Sequence, residues 1–525
     1  MNSPASHYTL LSWERIFAPT KHVLVLLPWG IFIYTGLIGI DFGYHWDEKF
    51  QFALVQQSLD TTILLPGWYQ YPSISYWLSL AGLLPHLISA ARTVGGDWHA
   101  ILDHLQLVLR TPAYHLQLRA LFLLISSLSI PWTYLAAWRW RRNWFEALAA
   151  AAFLAFSWEI AYHARWIAPD VVLMQFGALT LLGTLAASNL TGESTSDERR
   201  LRARRWLGFA GLAAGLGFGS KYPGGLLIVP GLICAWQLHS GSRPLRRLVR
   251  CAKDILPWFV LAYLVSTPGT FLDPLRFYKD LRYEFQHYTV GQYDQTVTPG
   301  LPHLGLILTY LSRVLFSHYQ PLALVIFLLA LLGAYQVFRD SPPEGVLLTG
   351  FPVLYIAYFS LQQVMAARNL LVLAPFMAIL AGRGAKSVAT SLAARWGRPI
   401  WITGLCLIMA INAIWLNTAA QSIHHRSADV YLGALLRYAA ELPPSTLAVS
   451  DRLWSELVSL GETLPPSLTR GADPANCQAV FYASEGMVNL MDWPANLPGF
   501  ADRVFGPWEV NFDYYPLWAG DDRIL

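Results

Sequence analysis

Apolar runs of about membrane-spanning length recur along this sequence and constrain it more than any other feature. Residues 22–40 carry no Asp, Glu, Lys or Arg. Ten further runs follow at approximately 116–138, 144–160, 171–188, 206–220, 223–238, 255–268, 320–337, 345–361, 369–382 and 399–417. A helix needs roughly 20 apolar residues to cross the hydrocarbon layer. It also satisfies its own backbone, which lipid demands. Only 13% of the 525 residues are charged and the mean hydropathy is +0.37, whereas a soluble domain has about 25% charged residues. The expected fold is an α-helical polytopic membrane protein with 11 transmembrane helices. The first run is too long and poorly flanked for a cleaved signal peptide, so its retention is expected. Cys234, Cys251, Cys406 and Cys477 have no CxxC spacing, and neither a zinc ribbon nor a disulfide framework is indicated.

Charge sets the orientation. With the N-terminus in the cytoplasm and alternating spans, the arginine clusters at 139–142, 199–205, 243–250 and 383–398 all fall on the cytoplasmic side. Short loops rich in Lys and Arg face inward. Three segments on the opposite side exceed a connector: 41–115, 269–319 and the tail from 418. The first two form the expected active-site face of a membrane domain spanning 1–417. The second is rich in aromatic residues, among them Tyr283, His287 and Tyr288. In the tail, residues 446–450 and 479–482 have the pattern of short buried strands. Residues 418–525 are expected to form a small soluble α/β domain outside the cytoplasm.

Several polar residues lie where they are expensive. Asp47 and Glu48 follow the first apolar run almost at once, and acids at a membrane mouth are functional candidates. The alternative is a favourable charge at a helix N-terminus. Asp170 follows Pro169 at a span start, either in the chemistry or paired with Arg165. Lys221, Arg368, Arg165 and Arg313 sit at span ends on the outer side, suited to binding phosphate or to snorkelling. The glycines before Lys221 do not make a nucleotide loop, because no Gly-Lys-Ser/Thr occurs there. Gly211, Gly215 and Gly219 recur every four residues, the spacing of close helix packing. His45, His163 and His287 could join the acids around a divalent metal ion.

Asp47-Glu48, then Tyr71-Pro72 with Tyr76-Trp77, then the loop Arg165 to Asp170 resemble the GT-C-type glycosyltransferases. The likeness is to the dolichyl-phosphate-mannose protein mannosyltransferase-like family (glycosyltransferase family 39) and its bacterial aminoarabinose-transferase relatives. It covers most of residues 22–417. One departure is Tyr71, where the aminoarabinose transferases have a lysine. The resemblance implies transfer of a sugar, with inversion, from a polyprenyl-phosphate donor to a hydroxyl of a glycan, lipid or protein. The setting it implies is the periplasmic face of a bacterial inner membrane. Such transfer needs a carboxylate to accept the hydroxyl proton, the role expected of Asp47, with Glu48 orienting the site or holding acceptor or metal. A leaving phosphate needs cations, expected from Lys221, Arg368 and Arg165, with Asp170 in the catalytic group and Tyr71 and Tyr76 on the substrate. A divalent metal ion is a possible cofactor, membrane lipids are expected partners, and no nucleic acid is. The alternative is a transporter or flippase of lipid-linked sugars. Transporters tend to carry internal repeats, and none is evident here.

Overall fold

A computed structural model describes residues 20–40, 48–109, 111–191, 196–291, 296–317, 319–396 and 398–424, with parts of 436–490. Asp47 and His45 lie outside the described residues. The chain divides into two compact units, Met1–Thr35 with Gln51–Leu416, and Gly36–Phe50 with Asn417–Leu525.

The first unit is helical, built around Pro169–Ser188, which is buried on nearly every side. Its neighbours include Ser129–Arg141, Asp197–Ser220, Ile228–Leu238, Ala367–Leu373 and Pro112–Ser127. The glycine stripe does what its spacing suggests. A Cβ at Gly215 would meet the Phe259 carbonyl, and one at Gly219 the Ser266 hydroxyl, so these glycines let Asp197–Ser220 lie against Pro244–Ser266.

By length and composition, five helices among the described residues could cross a membrane: Ile74–Thr93, Ala113–Arg141, Pro169–Ser188, Gln320–Asp340 and Ala367–Leu392. Shorter apolar helices are Leu26–Leu37, Trp144–Ala155, Tyr222–Leu238 and Cys406–Gln421. Ile74–Thr93 falls inside the segment read from sequence as an external loop. Its aromatic and aliphatic side bury against Pro112–Ser127, where Tyr114 Oη donates to the Ser79 carbonyl at 2.7 Å and Gln117 Nε2 to the Gly82 carbonyl at 2.8 Å. The run expected at 144–160 is interrupted. Trp144–Ala155 ends and a short helix, Trp158–His163, begins at Ser157. The Ser157 hydroxyl caps the new helix by accepting from Ile160 N and donates to the Leu315 carbonyl. Such capping competes with helix continuation.

In the second unit, β1 (Leu447–Val449), β2 (Leu468–Arg470), β3 (Ala479–Ser484) and β4 (Met487–Leu490) form a sheet in the order β2-β1-β3-β4. β1 runs parallel to β2 and β3, with Leu447 opposite Leu468 and Ala479, and β4 is antiparallel to β3. The two strands expected near 446–450 and 479–482 correspond to β1 and β3. Leu447 and Val449, which share one face of β1, are buried.

Candidate active site

Three interruptions in the helical bundle bring charged side chains together. The first is the turn into Pro169–Ser188. Proline disfavours the helical conformation in the residue before it, and Ala168 is extended at φ −127° and ψ 145°. Pro169 opens the helix, where a missing N–H costs nothing, and Asp170 stands in the first turn. The second is Lys221, extended at φ −154° between Asp197–Ser220 and the 3-10 turn Tyr222–Leu227. Pro223 prevents Asp197–Ser220 from running on, so the lysine projects from a break instead of a helix surface. The third is Ala367–Leu373, another 3-10 turn, which presents Arg368 and Asn369.

Lys221 Nζ donates to Asp170 Oδ1 at 2.6 Å and to Asn369 Oδ1 at 2.5 Å. Arg368 Nε lies 3.6 Å from the other oxygen, Asp170 Oδ2. The Lys221 and Asp170 side chains are each only 3% exposed and Arg368 is 13% exposed. Two cations therefore meet one carboxylate. An ion removed from water needs pairing and hydrogen bonds to be tolerated. Asn369 supplies some of them: its Nδ2 donates to Tyr288 Oη at 3.2 Å, and its carbonyl accepts from Tyr355 Oη at 2.9 Å. The Tyr71 ring centre lies 5.6 Å from Lys221 Nζ, within cation–π range.

The aromatic-proline loop carrying Tyr71 is tied down nearby. Tyr69 N donates to Asp280 Oδ2 at 2.8 Å, and Tyr222 Oη donates to the Tyr69 carbonyl. Asp280 sits on Pro274–Val290, whose 284 and 288 positions lie one and two turns further along the same face. Burial pushes the Glu284 carboxyl up to about 7, although the Lys221 charge pulls it down.

Asp170, Lys221, Arg368 and Tyr71 are thus brought together. Arg165 and Tyr76 bind other partners. Arg165 is fully buried, donates to the Ala161 carbonyl at 2.5 Å and the Thr35 carbonyl at 2.6 Å, and covers the Trp158 ring. It joins segments of the bundle. Tyr76 is buried among aliphatic side chains and shares a 2.7 Å hydrogen bond with Ser58. Glu48 is buried and opens the helix Glu48–Thr61. Arg313 is exposed at the end of Leu301–Arg313. His163 lies 3.6 Å from Glu159, which accepts from Tyr310 Oη at 3.0 Å. His287 stacks on Tyr283. No three His, Cys, Asp or Glu side chains converge in metal-binding fashion among the described residues.

Asn369, Glu284, Tyr288 and Tyr355 were not legible as site residues. Asn369 had one signal, its place beside Arg368. The 280, 284, 288 spacing on a loop helix was the signal for Glu284.

Residues 66–264 match the family model described as dolichyl-phosphate-mannose-protein mannosyltransferase. That stretch includes Tyr71, Tyr76, Arg165, Asp170 and Lys221, and leaves out Asp47, Glu48 and Arg368. No curated protein sequence matches the chain. Among solved structures, the chain is similar to ArnT from Cupriavidus metallidurans in the apo state, at 16% identity over 88% of this chain and 87% of that one, with a TM-score of 0.46. The same enzyme bound to undecaprenyl phosphate matches at 14% identity over 93% and 99%, TM-score 0.46. The oligosaccharyltransferase AglB from Archaeoglobus fulgidus, in complex with an inhibitory peptide and a dolichol-phosphate, matches at 12% identity over 94% and 78%, TM-score 0.47.

Proposed function

We propose that this protein transfers a sugar from a polyprenyl-phosphate donor to an acceptor hydroxyl, with inversion, on the periplasmic face of a bacterial inner membrane. The observation that carries the reading is the pair of cations, Lys221 and Arg368, held at the Asp170 carboxylate inside the helical bundle. Cations so placed suit an anion that arrives on a lipid. Both cations are already oriented, Lys221 by Asp170 and Asn369, so no reorganisation is needed as charge develops.

In the proposed step the acceptor oxygen attacks C1 of the sugar as the bond from C1 to the phosphate oxygen breaks. The hydroxyl proton passes to Asp47. The bonding electrons leave with the phosphate, which changes from a singly charged diester to a more highly charged monoester. Lys221 and Arg368 meet that added charge. Asp170 keeps the ammonium charged and in place, and the Tyr71 ring flanks it on one side. Direct displacement from the face opposite the phosphate gives inversion. Glu48 orients the acceptor side.

The test is the lipid that co-purifies. Mass spectrometry of extracts from the parent protein is expected to show a polyprenyl phosphate or its glycosylated form. Lys221→Ala is expected to lose it. A parent that carries only bulk phospholipid, or a Lys221→Ala protein that retains the polyprenyl lipid in full, overturns the reading.

A further inference from the structure

A cavity of about 340 Å³ opens where Ser129–Arg141 and Pro169–Ser188 end and Asp197–Ser220 begins. That volume falls in the range of small-molecule sites, ~300–1,000 Å³. Its wall is divided by chemistry. Arg139, Arg142 and Arg202 supply guanidinium groups, and Leu190 and Trp206 supply apolar surface.

Arg202 already has an acid, with its Nη2 2.5 Å from Glu198 Oε1. Arg139 and Arg142 pair with no carboxylate among the described residues. Aromatic rings hold them instead. The Arg139 guanidinium lies 5.5 Å from the Trp206 ring centre, and that of Arg142 lies 4.4 Å from the Trp138 ring centre. A ring attracts a guanidinium through its π face and uses up none of its five N–H donors. Helix C-termini also draw cations, which accounts for basic residues here but not for a cavity between them. One of the last carbonyls is met by a neutral group, since Asn189 Nδ2 donates to the Arg139 carbonyl. Asn189 also lines the cavity, and its Oδ1 is left as an acceptor.

The level of the cavity points to the source of the anion. Ala113–Arg141 and Pro169–Ser188 are both long and apolar enough to cross a membrane, and both finish here. Asp197–Ser220 carries all its charges before Trp206 and none after it. The arginines and Trp206 therefore stand where apolar chain gives way to polar chain, the level of a head group, at which tryptophan is enriched. Lys221 is elsewhere, at the far end of Asp197–Ser220. The 15 residues between Trp206 and Lys221 span about 22 Å of helix.

We propose that this cavity binds the head group of an anionic phospholipid. The phosphodiester lies between Arg139 and Arg142, a head-group hydroxyl donates to Asn189 Oδ1, and the glycerol and first acyl carbons run along Leu190 and Trp206. Two like charges on one cavity repel each other, and an anion between them removes that cost. Basic pockets between membrane helices recognise such head groups.

The test is native mass spectrometry of the detergent-solubilised full chain, titrated with phosphatidylglycerol and, separately, with phosphatidylcholine of the same chain length. The parent is expected to bind one phosphatidylglycerol in preference to phosphatidylcholine. Arg139→Gln combined with Arg142→Gln should lose that preference, with affinity falling about fivefold for each arginine. Leu190→Trp fills the cavity and keeps every arginine, so it should lose the bound lipid with the charges intact. Arg243→Gln combined with Arg246→Gln removes the same charge away from the cavity and should bind as the parent does. An equal loss there would mean diffuse attraction alone and overturn the site. Lys221→Ala should retain the phosphatidylglycerol. Its loss in that variant would place the lipid in the other site and sink the proposal. Glycerol phosphate, the head group without chains, should not displace the lipid, and displacement would assign the cavity to a soluble phosphate instead. A parent with no preference for phosphatidylglycerol also overturns the proposal, as does parent-like binding in Leu190→Trp.

Discussion

Lys221 shows how one residue links stability to function. Its ammonium is almost fully enclosed, and an enclosed charge is tolerated only with a partner. Asp170→Asn keeps the shape and removes the charge, which takes from Lys221 the carboxylate it binds at 2.6 Å. Breaking a buried pair from one side costs about 3–5 kcal/mol. The expected result is a large fall in the thermal midpoint of the detergent-solubilised protein. Adding Lys221→Met should recover part of it, because the unpaired charge goes with the side chain. A double variant that simply adds the two losses would show that the pair is not coupled. Asp47→Asn should behave differently. An amide cannot accept the hydroxyl proton, so turnover should fall ~10²–10⁴-fold while lipid-phosphate binding and the thermal midpoint hold. Parent-like turnover in that variant removes Asp47 from the chemistry.

At the scale of helices, the same local signals mark both packing and interruption. Gly215 faces the Phe259 carbonyl with no room for a side chain. Gly215→Val should force Asp197–Ser220 off Pro244–Ser266 and cost about 1–3 kcal/mol, as overpacking does. Gly305 is the control: a Cβ there meets nothing within 4 Å, and Gly305→Ala in Leu301–Arg313 should leave stability equal or improve it by up to ~1 kcal/mol. Equal thermal midpoints for the parent and Gly215→Val would show that this approach is not tight. The four-residue glycine spacing and the Ser-Lys-Tyr-Pro break were legible because both are local: one is a helix period, the other a proline effect. Asp170 was legible for the same reason, since Pro169 announces a helix start. That Asp170, Lys221 and Asn369 meet was not legible. Lys221 is 51 residues from Asp170 and 148 from Asn369, and helix periodicity says nothing about which ends adjoin. The break at Ser157 was missed because an alanine-rich run hides a cap whose hydroxyl is held by Leu315, 158 residues away.

Across the whole molecule, the basic side inferred from loop charges has a structural counterpart. Arg383 Nη2 meets Asp340 at 2.7 Å and its Nη1 meets Glu146 at 3.1 Å, while Arg141 lies 3.8 Å from Glu146. Three helix ends placed on one side by sequence therefore adjoin. Cysteine replacements at Asp60 and Arg250 should separate the two sides in intact cells: an impermeant thiol reagent labels the first and spares the second. The reverse pattern would invert the orientation and the proposed side of transfer with it. The remaining distinction is between an enzyme and a flippase of the same lipid. A flippase stores its free-energy change in moving lipid between two leaflets, and detergent removes both leaflets. A transferase keeps its substrates, its carboxylate and its cations in a micelle. Purified protein mixed with polyprenyl-phosphate sugars and a panel of glycan, lipid and peptide acceptors is expected to yield glycosylated acceptor and free polyprenyl phosphate in equal amounts. Lys221→Ala should release less. Lipid movement in sealed vesicles, with no free polyprenyl phosphate from any acceptor in the panel, would assign the buried cations to carrying a phosphate instead of stabilising its departure.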